Sequence, residues 1–333
     1  MVAKANRKLI IMVASALIAG TVLAVQYFFP IKRGGVDSYG MGWEFNTMTQ
    51  TMKFHNDTDE IIKMHDYEQK SCEEQVEDYA PPWWKYSSRC KCIIIGKKIE
   101  YIGKEAFCDF DRLSRVEIAS DVVEIGKSAF KNCNSLKTFQ CPQNLKLIGE
   151  EAFKDSGLQK IEMNKGLKII GQSAFGGTKL KNVVIPETAK YIGEKAFRFS
   201  ELESIKLPKE INVLPACIFE GCTNLKDIRM PDKVKKIGDA AFSMYYQYAE
   251  CKLKTLDIPN DVEQIGDNIL KFNQNIQRLK IESKTIKRVA NLAFQDINPK
   301  VIVEVPADNY DEYKEMLYSH GLPKSAKVVP FEQ

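Results

Sequence analysis

The sequence predicts an α/β repeat, a solenoid of about nine to ten short coils, each a short strand plus one helical turn, capped at both ends and preceded by a transmembrane helix. Three observations predict it. An apolar pattern returns every 22 to 23 residues, a Phe closes almost every copy, and an uncharged run of membrane-spanning length lies near the start.

Taken in chain order, Lys4, Arg7 and Lys8 precede Leu9 to Phe29, a run of 21 residues without a charge. At a rise of about 1.5 Å per residue such a helix spans roughly 31 Å, the thickness of a bilayer core. Tyr27, Phe28 and Phe29 sit where an interfacial aromatic belt would, Pro30 stops the helix, and Lys32 and Arg33 follow. The flanking charges favour a C-terminus outside the cell. The segment 1–30 therefore reads as a signal-anchor, the alternative being a cleaved signal peptide with Val22 and Ala24 before the cut. Thr21 stands where a lipidated Cys would have to be, which excludes lipid anchoring at that site.

The repeat organises the rest. Its pattern, L-x-x-I-x-I-P-x-x-x-V-x-x-I-G-x-x-A-F, leads from Cys90, Leu113, Leu136, Leu158, Leu180, Leu202, Leu225, Leu253 and Ile276. The closing Phe recurs at 107, 130, 153, 175, 197, 219, 242 and 294, with Leu270 standing in once, and a partial coil follows at Val303 and Val305. Val183 and Ile185 lie two apart, so they point to one side of a short strand, the core side. The recurrent Ile-Gly is replaced by Pro215 in one coil, so a positive φ is not required there. Gly-x-x-Ala-Phe is expected to start a single helical turn, with Ala letting coils approach and Phe filling the space between them. No coil can bury its own apolar side, so stacking is obligatory.

Terminal coils need covers. The segment 31–89, with Trp43, Trp83 and Trp84, is expected to form a juxtamembrane segment and cap, the solenoid to run over 90–305, and 306–333 to close the far end. There Asp308 is placed to cap a helix with Tyr310, Tyr313 and Leu317 on one face, ending at Gly321.

The register of L-x-x-I-x-I-P and I-G-x-x-A-F resembles the BspA-like leucine-rich repeats of bacterial surface proteins. The lead-in around Trp43-Glu-Phe45, Met64-His-Asp66-Tyr67 and Ala80-Pro-Pro-Trp83, and the closing Val303-Glu-Val305-Pro306 with Tyr310 and Tyr313, look like that family's flanking segments. The commoner leucine-rich repeat places Asn or Cys after the strand to bond the turn. Here Asp121, Asn144, Gly166, Thr188, Glu210, Lys233, Asp261 and Lys284 occupy that position, so no side-chain ladder is expected. The resemblance implies a leucine-rich-repeat solenoid at the cell surface that attaches to a protein, either of the host matrix or of a bacterial surface.

Composition and motifs narrow the chemistry. At 44% hydrophobic and 28% charged, the 333 residues are far too apolar to be disordered. The formal charge of +4 includes five cations within the first 33 residues, which hold no Asp or Glu, leaving about −1 over 34–333. Nucleic-acid binding leans on clustered Lys and Arg, so DNA and RNA are discounted as partners. His55, His65 and His320 have no metalloprotease or triad spacing, and no catalytic residue or cofactor site is assigned. Gly126-Lys127-Ser128 imitates the end of a phosphate-binding loop, but Asp121 stands where the earlier glycine must be. Of nine cysteines, Cys90, Cys133, Cys141 and Cys222 fall on recurring positions and read as small buried hydrophobes. Cys90-Lys-Cys92 with Cys72 leaves open a bridge or a metal ligand set, although the spacing is not that of a zinc knuckle.

Two candidate binding surfaces remain. Outward strand positions carry Arg115, Glu117, Lys160, Glu162, Lys206, Asp227, Arg229, Asp257, Arg278 and Lys280, a mixed-sign face that also reads as a solvated sheet with cross-strand pairs. The insertion between Phe242 and Leu253 carries Tyr245, Tyr246 and Tyr248, a residue type favoured at interfaces, though packing over the adjacent coil explains them equally. The functional readings are an adhesion-type binding module and an envelope scaffold without a specific external ligand.

Overall fold

The computed structural model describes residues 32–37, 40–67, 80–246 and 250–332. The membrane segment expected over 1–30 lies outside the described residues, and among these no helix is long and apolar enough to cross a membrane.

The repeat winds into a β-solenoid of about ten turns. One side of every coil is a strand of three to five residues, such as Asn182–Val184, paired in parallel with Ser204–Lys206 and then Asp227–Arg229 of the following coils. Alternation is visible in burial: Val183 is buried while Asn182 and Val184 face out. A proline then turns the corner, closed by an i to i+3 bond such as Ala189 N to Pro186 O at 2.9 Å. A two-residue strand forms the second side, where Leu147, Ile169 and Tyr191 pair in register from coil to coil.

The third side departs from expectation. No helix forms there, and among the described residues the only α-helix is Tyr310–Ser319 (α1), with 3-10 turns at Trp84–Tyr86 and Ala307–Asn309. Ser128 and Asn132 adopt left-handed backbone, with φ of 53° and 59°. Those residues swing alternate amides out of the turn: Ser128, Phe130 and Asn132 donate to Glu150, Ala152 and Lys154 of the next coil at 2.8, 2.8 and 3.0 Å. A helix would spend those donors on its own carbonyls; here they tie coils together, so the repeats form a parallel β-solenoid rather than an α/β repeat.

Glycine in the Ile-Gly pair answers to crowding instead of helix initiation. A Cβ on Gly171 would stand 2.6 Å from the Gly149 carbonyl carbon and from Glu150 N of the preceding coil. Pro215 lacks the amide that Gly193 and Gly238 donate to Ile170 and Leu214, and the second sheet splits there into pieces ending at Tyr191–Ile192 and beginning at Val213–Leu214.

The core is a column. Phe107, Phe130, Phe153, Phe175, Phe197, Phe219 and Phe242 are buried and stack on one another, with centroids 5.4 Å apart for Phe130–Phe153 and 6.1 Å for Phe197–Phe219. Cys90, Cys133, Cys141 and Cys222 are buried within it as expected of small hydrophobes, and burial pushes the Cys90, Cys141 and Cys222 thiols up to about 12.

At the start of the solenoid, Gly42–Asn46 and Thr51–His55 form an antiparallel pair whose second strand joins Cys92–Ile95 in parallel. Trp83, fully buried, packs edge-on against Phe54 and donates its indole N–H to Ala106 O at 2.9 Å. Trp43 is also buried, whereas Trp84 is 40% exposed. At the other end α1 buries Tyr313 and Leu317 and ends at Ser319, with His320 as C-cap and Gly321 turning the chain beyond it at φ +95°. Asp308 does not cap this helix. Asn309 is the N-cap residue, its side chain donating to Glu312 Oε2 at 3.5 Å and making no bond to the helix backbone, and Asp308 pairs with Lys284 at 2.8 Å, which holds its carboxyl below the usual range. Beyond α1, Lys327–Phe331 adds a last parallel strand beside Ile302–Pro306. A partial side-chain ladder also exists where none was expected: Asp121 accepts from Lys98 N at 2.7 Å, and Thr188 donates to Lys165 O and Leu167 O at 2.8 Å each.

Candidate protein-binding surface

The outward strand face collects the charged residues in one column but satisfies most of them locally. Arg115 pairs with Glu117 at 3.2 Å, Lys160 with Glu162 at 2.6 Å, Lys206 with Glu187 at 3.6 Å and Lys280 with Glu282 at 2.8 Å. Arg278 bonds Asp257 at 2.9 Å and reaches Glu304 at 3.7 Å. Arg229 is exposed on the same face, and nothing is described of the Asp227 side chain. Exposed pairs of this kind are worth about 0–1 kcal/mol, and side chains already engaged with neighbours must release them before meeting a ligand.

The insertion is different. Tyr245 and Tyr246 are 51% and 69% exposed and stand edge to face with centroids 4.7 Å apart; Tyr248 lies outside the described residues. The structure adds two residues that sequence reasoning passed over. Phe199, 43% exposed, meets Tyr245 edge-on at 5.3 Å. Arg198 lies over the Phe199 ring at 4.5 Å and near that of Tyr245 at 5.8 Å. Glu220 grips its guanidinium twice, at 2.6 and 3.2 Å, so the cation is fixed rather than swinging.

Phe199 carries a backbone cost as well as an exposure cost. Its φ is +58°, in the left-handed region that costs a bulky residue of order 1–3 kcal/mol. The same register position holds Asp109, Asn132, Asp155, Gly177, Gly221 and Asp296 in other coils, residue types that tolerate that conformation, and a second aromatic, Phe272, at φ 62°, half-buried where Phe199 is exposed. Gly221 in the next coil lies directly beneath the Phe199 ring, where a Cβ would collide with it. Phe199 is thus an exposed aromatic in left-handed backbone, with the bare Gly221 leaving room for its ring. The signal was present in the sequence as the one early coil whose Phe-x-Asp/Asn/Gly reads Phe197-Arg-Phe199.

The metal or disulfide alternative at the cap rests on Cys72, which lies outside the described residues. Cys90 is buried and donates its thiol to Cys92 O at 3.3 Å, while Arg115 Nε lies 3.3 Å from Cys92 Sγ. Among the described residues no group of three His, Cys, Asp or Glu is arranged to hold a metal ion. His320 Nδ1 lies 2.7 Å from Met316 O at the end of α1, and Lys127 pairs with Glu150 at 2.9 Å, a structural use of the residue that imitated a phosphate-loop lysine.

Comparison with known proteins matches the BspA-type leucine-rich-repeat region, in overlapping stretches 83–202, 146–248 and 190–319. The chain belongs to that family. BspA-type repeats thus account for the whole of 83–319, from the buried Trp83 to the end of α1. Among solved structures, a leucine-rich repeat protein from Eubacterium ventriosum is 19% identical over 82% of this chain and 78% of its own, with a TM-score of 0.52. Another from Bacteroides ovatus is 18% identical over 90% of this chain and 100% of its own, with a TM-score of 0.42. The former likeness shows the leucine-rich-repeat fold alone. Among curated proteins, none matches this chain.

Proposed function

We propose that the chain is a non-catalytic, membrane-tethered binding module of the cell surface that captures a protein partner, of the host matrix or of a bacterial surface, through the patch of Phe199, Tyr245 and Tyr246. The observation that carries this reading is Phe199, an exposed aromatic in left-handed backbone that meets the exposed Tyr245 edge-on, with Tyr246 edge-on to Tyr245 in turn. Clusters of aromatic residues with a fixed Arg are what protein interfaces enrich at their energetic centres. Tyr248 of the same insertion lies outside the described residues and is a sequence candidate alone, while the strand-face residues Arg115, Glu117, Lys160, Glu162, Lys206, Arg229, Asp257 and Lys280 are a second candidate surface whose charges are largely paired. Residues 1–30 supply the tether, and 32 onward the extracytoplasmic body.

The test is saturable binding of the chain to immobilised matrix proteins and to bacterial surface proteins, repeated with Phe199→Ala, Tyr245→Ala and Tyr246→Ala. Truncating an interface centre costs about 2 kcal/mol or more, roughly thirtyfold in Kd. Binding that survives all three substitutions removes the patch from the account. Absence of saturable binding to any such protein favours instead an envelope scaffold, a role for which the self-paired strand face is suited.

A further inference from the structure

The second sheet, on a different side of the solenoid, carries an exposed strip that neither packing nor the tyrosine patch uses. Leu147, Ile169 and Tyr191 pair in register on consecutive coils, and Val213 follows on the next coil, past the break at Pro215. Leu147 is half-buried, and the other three are 37%, 56% and 43% exposed. Before and after this run the same position turns polar, with Glu124 on one side and Lys236, Gln264 and Arg288 on the other.

Beside the apolar run stands a column of lysines. Lys146, Lys168 and Lys190 each precede one of its residues, and their backbones are bonded one to the next, Lys168 N to Lys146 O at 2.8 Å and Lys190 N to Lys168 O at 2.9 Å. All three side chains are exposed, and among the described residues none makes an ion pair. Elsewhere on the molecule lysines on adjacent coils find acids, as Lys226 finds Glu203 at 2.8 Å and Lys287 finds Glu263 at 2.7 Å. Like charges directly opposite in a sheet are destabilising, so three in a row beside exposed aliphatic side chains impose a cost that the fold does not recover internally.

We infer that this strip docks an acidic amphipathic helix of a protein partner, lying along the solenoid axis. Charge complementarity requires acids along one edge of the occupant, and the run of Leu147, Ile169, Tyr191 and Val213 requires a largely apolar edge beside it. Spacing selects the conformation. Paired strands repeat at about 4.8 Å, so the lysines span about 10 Å and the apolar side chains about 14 Å. A helix presents same-edge residues every three to four positions, about 4.5–6 Å apart, and keeps step over two to three turns. An extended segment along the axis presents same-face residues about 6.7 Å apart and falls out of step after the second contact. Three of its four coils lie on strands paired with one another, whose register fixes the spacing that a docked helix meets.

The probe is a fluorescein-labelled synthetic helix of about 14 residues, long enough for four turns, with Glu and Leu recurring along adjacent edges, titrated into the full-length chain and followed by anisotropy at low salt. Saturable binding is expected, weakened about tenfold or more by Lys146→Ala/Lys168→Ala/Lys190→Ala together and comparably by Ile169→Ser/Tyr191→Ser. Thermal midpoints of these surface variants stay close to that of the parent chain, which separates lost contact from lost fold. Tyr245→Ala leaves the binding unchanged, so failure here is distinguishable from failure of the tyrosine patch. Equal binding of the parent and the lysine variant, or equal binding of poly-glutamate or of the same residues in an order without a common edge, overturns the inference.

Discussion

Replacing Phe175 by Ala removes a fully buried ring from the middle of the column, with neighbours Phe153 at 5.6 Å and Phe197 at 5.4 Å. Burial of a Phe side chain is worth roughly 1.5–3 kcal/mol. The void adds to this, because the coils above and below cannot settle inward: Phe153 N to Ala174 O at 2.9 Å and Phe175 N to Ala196 O at 2.8 Å hold them at strand spacing. Loss of ring and creation of cavity together give about 3–5 kcal/mol. Lys181→Ala on the same coil removes an exposed partner of Glu203 at 3.6 Å and should cost within about 0.5 kcal/mol. Urea unfolding followed by circular dichroism, with midpoint and slope fitted separately, measures both. A reduced slope for Phe175→Ala would mean that the solenoid unfolds in two pieces about the damaged coil, which nearest-neighbour stacking permits. A cost below about 1 kcal/mol, or one no larger than that of Lys181→Ala, would refute the reasoning.

Gly171→Ala should destabilise by about 1–3 kcal/mol, as overpacking does, because its Cβ would meet backbone at 2.6 Å, whereas at Gly166 the nearest atom is the Asn164 amide nitrogen at 3.0 Å, and Ala there should be tolerated; thermal melts of the two variants decide. Phe199→Asn should leave stability unchanged or raise it by about 1 kcal/mol, since Asn132 already holds the equivalent position at φ 59°, while weakening partner capture. Burial lifts the Cys141 and Cys222 thiols from 9.0 to about 12. Unfolded thiols ionise first, so the stability these groups contribute is intact below pH 9 and lost progressively as pH rises through about 12; alkylation at pH 8 should spare both residues until urea is added, and rapid labelling of the native chain would contradict their burial.

The strands and the aromatic column were legible because their apolar positions recur at a fixed interval and each coil needs its neighbour. The third side was not, since Gly-x-x-Ala-Phe has the spacing of a helical turn and its left-handed positions are held by Glu105, Ser128, Lys195 and Ala240, residue types that carry no signature of positive φ. Lys327–Phe331 escaped notice because Pro330 argues against a strand, yet an outermost strand tolerates proline. Asp308 precedes a helix and looks like its cap; Lys284, 24 residues earlier, takes it instead. At the candidate site Tyr245 and Tyr246 were visible as an insertion, while Phe199 was hidden by the habit of counting every Phe as core. Reading each repeat position down the stack, rather than along the chain, exposes it.

Double-mutant cycles along the aromatic column test most directly whether coils are stabilised by their immediate neighbours. Phe153 and Phe175 stack at 5.6 Å and 9°, so the pair Phe153→Leu and Phe175→Leu should couple by about 0.5–1.5 kcal/mol. Phe153 and Phe242 have three rings of the column between them, and their substitutions should add to within about 0.3–0.5 kcal/mol. Equal coupling in both pairs, or none in the adjacent pair, would contradict a molecule whose coils hold only to those they touch.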